Sequence, residues 1–321
     1  MRHQQVALIG GSGFIGSHLV NALVDLGHNV RLATRRRANA AHLTLLPIDV
    51  IECDVHDPVQ LAAFVEQADA VVNLVGILQG RRGEAGEPYG PEFAKAHVEL
   101  PRKIAAACGA KGVRRLLHMS AIGADSDGPS MYLRSRGDGE KVIRDSRLDW
   151  TIFRSSVVFG PEDNLLNQFV FLERMFPVIL LACADAQFQP VFVGDVAKAI
   201  VNVLDLDAAN GMTYELAGPH VYALAELVRF SGAAIGKHSR IVKLPDSLGR
   251  LQAMTMEMTP GEPLISRDNL DSMKTPNIAS GPLALELGIG EPASIEAIAP
   301  LYLTGNSPRS RFSGFRATAH R

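Results

Sequence analysis

VALIGGSGFIG, Val6 to Gly16, is the stretch that decides how this chain is read. An apolar run, Val6 to Ile9, ends in Gly10, and Gly13 and Gly16 follow at three-residue intervals. SHLVNALVDLG (17–27) then places Leu19, Leu23 and Leu26 at helical spacing and stops at Gly27. A strand, a glycine turn and a helix start in that order give a glycine fingerprint its meaning. The glycines let backbone approach a pyrophosphate and let helix pack on strand, while free N–H groups at the helix start face the anion. Gly10, Gly13, Phe14, Ile15 and Gly16 are therefore the expected diphosphate-binding residues.

Working outward, the alternation continues. NVRLAT (29–34), PIDVIECD (47–54), ADAVVNLVG (68–76), RRLLHMS (114–120) and DWTIFR (149–154) read as strands. Residues 92–109 and 131–146 read as helices. Strands alternating with helices imply an α/β fold, a doubly wound parallel sheet of Rossmann type, and continuous apolar strands fit a sheet covered on both faces. The regularity fails after Gly160-Pro161, returns over QPVFVGDVAKAIVNVL (189–204), and gives way to short mixed elements. The expected organisation is a nucleotide-binding domain over 1–160 plus about 189–205, a smaller mixed C-terminal region over 161–188 and 206–303, and a basic, disordered tail over 304–321.

The second strand names the cofactor. NAD sites place an acid near its end, to grip the ribose 2′-hydroxyl. Here Arg35, Arg36 and Arg37 stand there, and a guanidinium fork suits a 2′-phosphate. NADP(H) is favoured, with Arg35 and Arg36 as its contacts and NAD(H) as the alternative. Asp54 and Val55, after the third strand, would reach the adenine. Asn73, Val75 and Gly76, after the fourth, would line the next edge of the cofactor.

The chain has 321 residues, 47% hydrophobic, and a net charge of −2, so nothing global points to nucleic acid. The tail carries four Arg and no acid. Cys53, Cys108 and Cys183 are odd in number, widely spaced and outside any CxxC, which reads as reduced, mostly buried thiols. No HExxH or other metal motif occurs. The N-terminus enters a strand directly, with no signal peptide, and the apolar run FPVILLACA (176–184) is too short to span a bilayer. A cytoplasmic protein is expected. In LPDSLGRLQAMTMEM (244–258), Leu248, Leu251 and Met258 share a helical stripe, for which core packing is the simpler reading and an adaptable apolar surface the alternative.

MYLRSRGDGEK (131–141) carries the chemistry. Ser120 closes the fifth strand, and Tyr132 and Arg136 fall on one helical face, i and i+4. At this point the chain resembles a short-chain dehydrogenase/reductase of the extended or atypical kind. More narrowly it resembles bacterial relatives of the NADPH-binding accessory subunit of respiratory complex I. GGSGFIG, VVNLVGIL, HMSAIGAD, SSVVFGPEDN and SRDNLDSM carry the likeness, which runs from about Val6 to Leu303. The resemblance implies that Tyr132 is the acid/base, that Ser120 polarises a carbonyl, and that position 136 holds the nicotinamide ribose and activates the tyrosine. The family has lysine at that last position, and reads Arg-Pro-Ser where this chain has Arg154-Ser155-Ser156. Arginine keeps the cation but cannot relay a proton. The expectation is an NADP(H)-binding protein with weak or absent oxidoreductase activity. Its implied partner is a membrane-associated respiratory or quinone-biosynthesis complex, to which it would be peripheral at the inner membrane. An active reductase or epimerase on a hydrophobic, quinone- or isoprenoid-like substrate is the first alternative. A redox-sensing or assembly protein is the second.

Overall fold

A computed structural model of the chain describes residues 4–84, 86–259 and 263–304, so the Arg-rich stretch 305–321 lies outside the described residues. Two compact units emerge. The first comprises 1–155, 194–216 and 279–290, and the second 156–193, 217–278 and 291–321.

The first unit is built on a seven-stranded sheet. Its first six strands are β1 (Gln5–Ile9), β2 (Asn29–Thr34), β3 (Ile48–Glu52), β4 (Ala70–Asn73), β5 (Arg115–Ala121) and β6 (Asp149–Ser155). The strand Met212–Leu216 adds to β6, and the order across the sheet is 212–216, β6, β5, β4, β1, β2, β3. Every pairing is parallel. All four residues of β4 are buried, as a strand covered on both faces requires. Helices α1 (Phe14–Asp25), α2 (Pro58–Val65), α3 (Leu100–Lys111) and α4 (Met131–Arg144) lie between these strands.

Local chemistry explains these boundaries. The Asp57 carboxylate accepts from the N–H groups of Val59 and Gln60 and, with Pro58, starts α2. Ser130 caps α4 by accepting from Leu133 N–H, and Gly112 ends α3 at φ +71°. The helix expected over 92–109 is real but composite. Pro91–Phe93 and α3 flank a π-helical piece, Ala94–Glu99, of the kind that often marks a functional position. Two elements were not legible in advance. Helix α2 is only eight residues long, too short for periodicity to separate from a loop. The strand Met212–Leu216 joins a sheet whose previous strand lies far back in the chain. It and residues 279–290 therefore group with the first unit, where the sequence pattern suggested the smaller region.

The second unit packs helices Leu165–Met175, Leu224–Ala234 and Ile295–Leu303 around Phe159, Leu166, Phe169, Leu227 and Ala299. Short strand pairs surround them. The Asp163 carboxylate, buried there, accepts from the N–H groups of Gly160 and Leu166 and from the Tyr302 hydroxyl. One sequence expectation fails in this unit. Leu248, Leu251 and Met258 do not pack into a core, because the helix Asp246–Glu257 seats itself through Gly249 and Ala253 and leaves that stripe in solvent. Cys53 and Cys108 are buried and Cys183 is half-buried, and all three are free thiols. Among the described residues no helix is long and apolar enough to cross a membrane, and no cluster of side chains is arranged to hold a metal ion.

Candidate nucleotide and reaction site

The glycine loop lies between β1 and α1. Gly10 has φ +82°, and a Cβ there would come within 3.0 Å of Val75 N, so both the turn and the approach of the β4 loop need glycine. Gly13 N–H donates to Gly10 C=O at 3.2 Å, and Gly13 then serves as the N-cap of α1 with no side-chain cap. The first-turn amides of α1, including those of Phe14 and Ile15, thus have no side chain capping them. A Cβ on Gly16 would lie 2.4 Å from Gly11 Cα, so α1 rests directly on the loop. A capless helix start behind a turn with Ser12 as its one side chain fits a diphosphate.

At the end of β2, Arg35, Arg36 and Arg37 are exposed, and none forms an ion pair among the described residues. Asp54 is exposed after β3, its carboxylate accepting from His56 N–H, and Val55 packs against the core. Asn73 is fully buried, so it shapes this edge without facing it. Its Oδ1 accepts from Val75 N–H at 3.1 Å, and its amide donates to His118 Nδ1 at 3.1 Å. Val75 is half-buried and Gly76 is exposed in the loop that follows.

The reacting end holds more than the sequence disclosed. Tyr132 is half-buried and meets the rings of Phe93 and His97 edge-on, at 6.3 and 5.7 Å. The Arg136 guanidinium lies over the Tyr132 ring, Cζ 5.4 Å from its centre. Nη1 donates to Met119 C=O at 3.0 Å and reaches Val75 C=O at 3.5 Å. Nη2 abuts Gly76, where a Cβ would sit 2.0 Å away, and Nε is buried with no partner. Arginine at this position therefore fills the gap between the ends of β4 and β5 and stacks on the tyrosine.

Ser120 is also engaged. Its hydroxyl donates to Glu140 Oε1 at 2.6 Å. Glu140 is fully buried and accepts from Arg154 Nε and Nη2 at 2.9 and 2.7 Å and from Arg144 Nη2 at 2.6 Å. The bond to Glu140 holds the Arg154 guanidinium above its ordinary pKa. Glu140 escaped the sequence reading although a signal existed. The i, i+4 step from Tyr132 to Arg136, taken once more, lands on it.

His97, in the π-helical piece, is the other unforeseen member. Its Nε2 accepts from Ile77 N–H at 3.1 Å, so Nδ1 carries the hydrogen and donates to Ser135 Oγ at 2.8 Å. Burial, reinforced by the Arg136 charge, holds His97 well below the ordinary histidine range and brings His118 down to about 3. Both rings are neutral in the fold. The unfolded chain takes up these protons near pH 6.5 and the folded chain refuses them. Stability is therefore full above about 6.5 and is lost as pH falls. By pH 5, His118 alone is expected to remove about 2 kcal/mol, seen as a lowered Tm that a His118→Gln variant lowers less steeply. A cavity of about 760 Å³ lined by Gln5, Arg31, Ile48 and Glu66 lies instead beside the starts of β1 and β3, well removed from these groups.

A family model described as NAD(P)H-binding matches residues 10–164, from the first loop glycine to the residue before Leu165. Residues 10–164 are an NAD(P)H-binding domain. The chain is 28% identical over 289 residues to the Arabidopsis thaliana mitochondrial protein named NADH dehydrogenase [ubiquinone] 1 alpha subcomplex subunit 9, covering 85% of this chain and 70% of that one. It is 32% identical over 229 residues to the Mus musculus protein of the same name, covering 70% of this chain and 59% of the mouse protein. The ceramide reductase of Caulobacter vibrioides is 25% identical over 241 residues, covering 75% and 74%. Among solved structures, a UDP-N-acetylglucosamine 4-epimerase from Methanobrevibacter ruminantium superposes with a TM-score of 0.69 at 18% identity, over 98% of this chain and all of that one. The NAD(P)H-binding domain thus has the Rossmann-type fold of epimerases and dehydratases, and a nicotinamide nucleotide is its cofactor class.

Proposed function

We propose that this protein binds NADP(H) as a nucleotide-binding subunit or partner of a respiratory or quinone-metabolising assembly, and that its own hydride-transfer activity is weak or absent. When bound, the nicotinamide nucleotide supplies hydride chemistry. The chain's residues would do the rest: the α1 amides hold the diphosphate, Arg35 and Arg36 meet the 2′-phosphate, and Gly76 and Arg136 border the nicotinamide ribose.

The observation that carries the reading is the state of the two groups a tyrosine acid/base works with. The Arg136 guanidinium is engaged by two carbonyl oxygens and the Tyr132 ring, and the Ser120 hydroxyl hydrogen is engaged by Glu140. An arginine cannot pass a proton to water, and a serine donating to a buried carboxylate has no hydrogen left for a substrate carbonyl. Replacing Arg136 by lysine shortens the side chain, vacates the space beside Gly76 and restores a transferable proton. In single-turnover assays with NADPH and a panel of quinones and carbonyls, Arg136→Lys is expected to raise hydride transfer at least tenfold with NADPH affinity held within a few-fold. Wild-type chain that already turns over robustly, and does not gain from the lysine, would contradict the reading.

The likeness to mitochondrial NADH dehydrogenase subunits supports the assembly role. The likeness to a ceramide reductase favours one alternative, a slow reductase of a long-chain apolar substrate. The same assay separates the two.

A further inference from the structure

The second unit presents an apolar face that is exposed among the described residues. The strands Val178–Leu181 and Arg240–Lys243 pair in parallel, with Val178 opposite Arg240 and Leu180 opposite Val242. Ile179, Leu181 and Ile241 turn inward onto the core of that unit. Val178 and Leu180 turn outward and stay 44% and 52% exposed, so one side of this ribbon faces solvent with valine and leucine on it. Met175 and Phe176, just before it, are about half exposed as well. The helix Asp246–Glu257 lies alongside, tied to the ribbon by Gln252 Nε2 donating to Leu180 C=O at 3.2 Å and seated on Ala182 through Gly249. Its outward stripe is Leu248, Leu251 and Met254, continued by Met258, the last of them 79% exposed. Scattered apolar residues on a surface mean little, but a continuous stripe across a ribbon and its neighbouring helix marks a contact.

Charge says what kind of contact. Residues 174–182 and 236–245, which form the ribbon and its flanks, contain Arg174, Lys237, Arg240 and Lys243 and no acid. Lys243 pairs with Asp185, while Arg174, Lys237 and Arg240 form no ion pair among the described residues. On the ribbon, exposed Phe176, Val178 and Leu180 stand beside these unpaired cations, while the acids that border the face, Asp185, Asp246 and Glu257, are each paired with a lysine or arginine. That balance matches the boundary of an anionic bilayer, where apolar side chains enter the acyl edge and cations meet headgroup phosphates. We propose that this face docks the protein on an anionic lipid surface. The proposal stands on the second unit alone and does not depend on the nucleotide reading.

The test is co-sedimentation of the full chain with vesicles of phosphatidylcholine alone and of phosphatidylcholine containing phosphatidylglycerol. Binding is expected to the anionic vesicles only, and to weaken as salt is raised. The double variant Arg174→Glu with Arg240→Glu should lower that binding by twentyfold or more, at about fivefold per cation lost. Leu180→Ser with Leu251→Ser should lower it at least tenfold. All four side chains are exposed or half-exposed, and NADPH affinity and Tm measured on the same samples should be unchanged. No binding to anionic vesicles would overturn the proposal. So would full binding by both double variants, which would put the basic stretch 305–321 in charge of lipid contact. A lipid-free dimer abolished by the leucine variants would assign the face to a second copy instead.

Discussion

Glu140→Ala is expected to lower the stability of the first unit by about 3 kcal/mol, the lower end of the range for removing one partner of a buried ion pair. Glu140 is fully buried, and alanine would leave Arg154, which is half-buried, with the Ala124 carbonyl as its remaining acceptor among the described residues. Arg144 loses less, because its side chain reaches solvent. For a unit of this size the change corresponds to a Tm lowered by roughly 6–12 °C. Glu140→Gln keeps an acceptor for Ser120 and the shape of the site, and should cost about half as much. The pair of variants also reads out Ser120. In Glu140→Ala no acceptor remains at position 140 and the Ser120 hydroxyl is released, so any residual reductase activity should rise in that variant, even as stability falls, and not in Glu140→Gln. A Tm within a degree of wild type for Glu140→Ala would mean that the carboxylate does not organise this part of the sheet.

Gly13→Asp should separate binding from folding. Gly13 is the N-cap of α1 at φ −81° and ψ −177°, a conformation aspartate adopts freely. A Cβ there meets only Gly10 O, at 3.3 Å. Aspartate is among the best N-cap residues, so Tm should hold or rise slightly. Its carboxylate, however, would take the amides and the positive helix end that the diphosphate needs, and would repel the diphosphate's own charge. Affinity for NADPH should fall by at least a hundredfold. An unchanged affinity, measured on a variant with intact Tm, would remove the diphosphate from this loop.

These two positions show what the sequence disclosed and what it withheld. The glycine loop was legible because strand, turn and helix start are contiguous, and each glycine has a local reason to be there. The parallel sheet was legible for the same reason through β6, since each strand carries its own apolar run. The strand Met212–Leu216 was not, because its pairing with β6 depends on a chain return that no local pattern announces. Tyr132 and Arg136 could be placed on one helical face from spacing alone. What they do there could not, because the carbonyls of Met119 and Val75 and the bare Cα of Gly76 come from β5 and from the loop after β4. His97 depends on a π turn that shifts the register of a helix otherwise read as regular. The stripe of Leu248, Leu251 and Met258 has the same periodicity whether it faces a core or water. Only the seating of Gly249 on Ala182 decides between them.

The central claim is that this fold retains a nicotinamide nucleotide, with its phosphate-bearing form preferred, while the groups beside Tyr132 are held away from catalysis. The most direct measurement is a fluorescence titration of the purified chain with NADPH and, separately, NADH. The account predicts saturable binding of NADPH at micromolar concentration or tighter, at least tenfold tighter than NADH, with the preference lost in Arg35→Ala with Arg36→Ala. Equal affinity for the two nucleotides would contradict the role given to the arginines, and binding of neither would contradict the account itself.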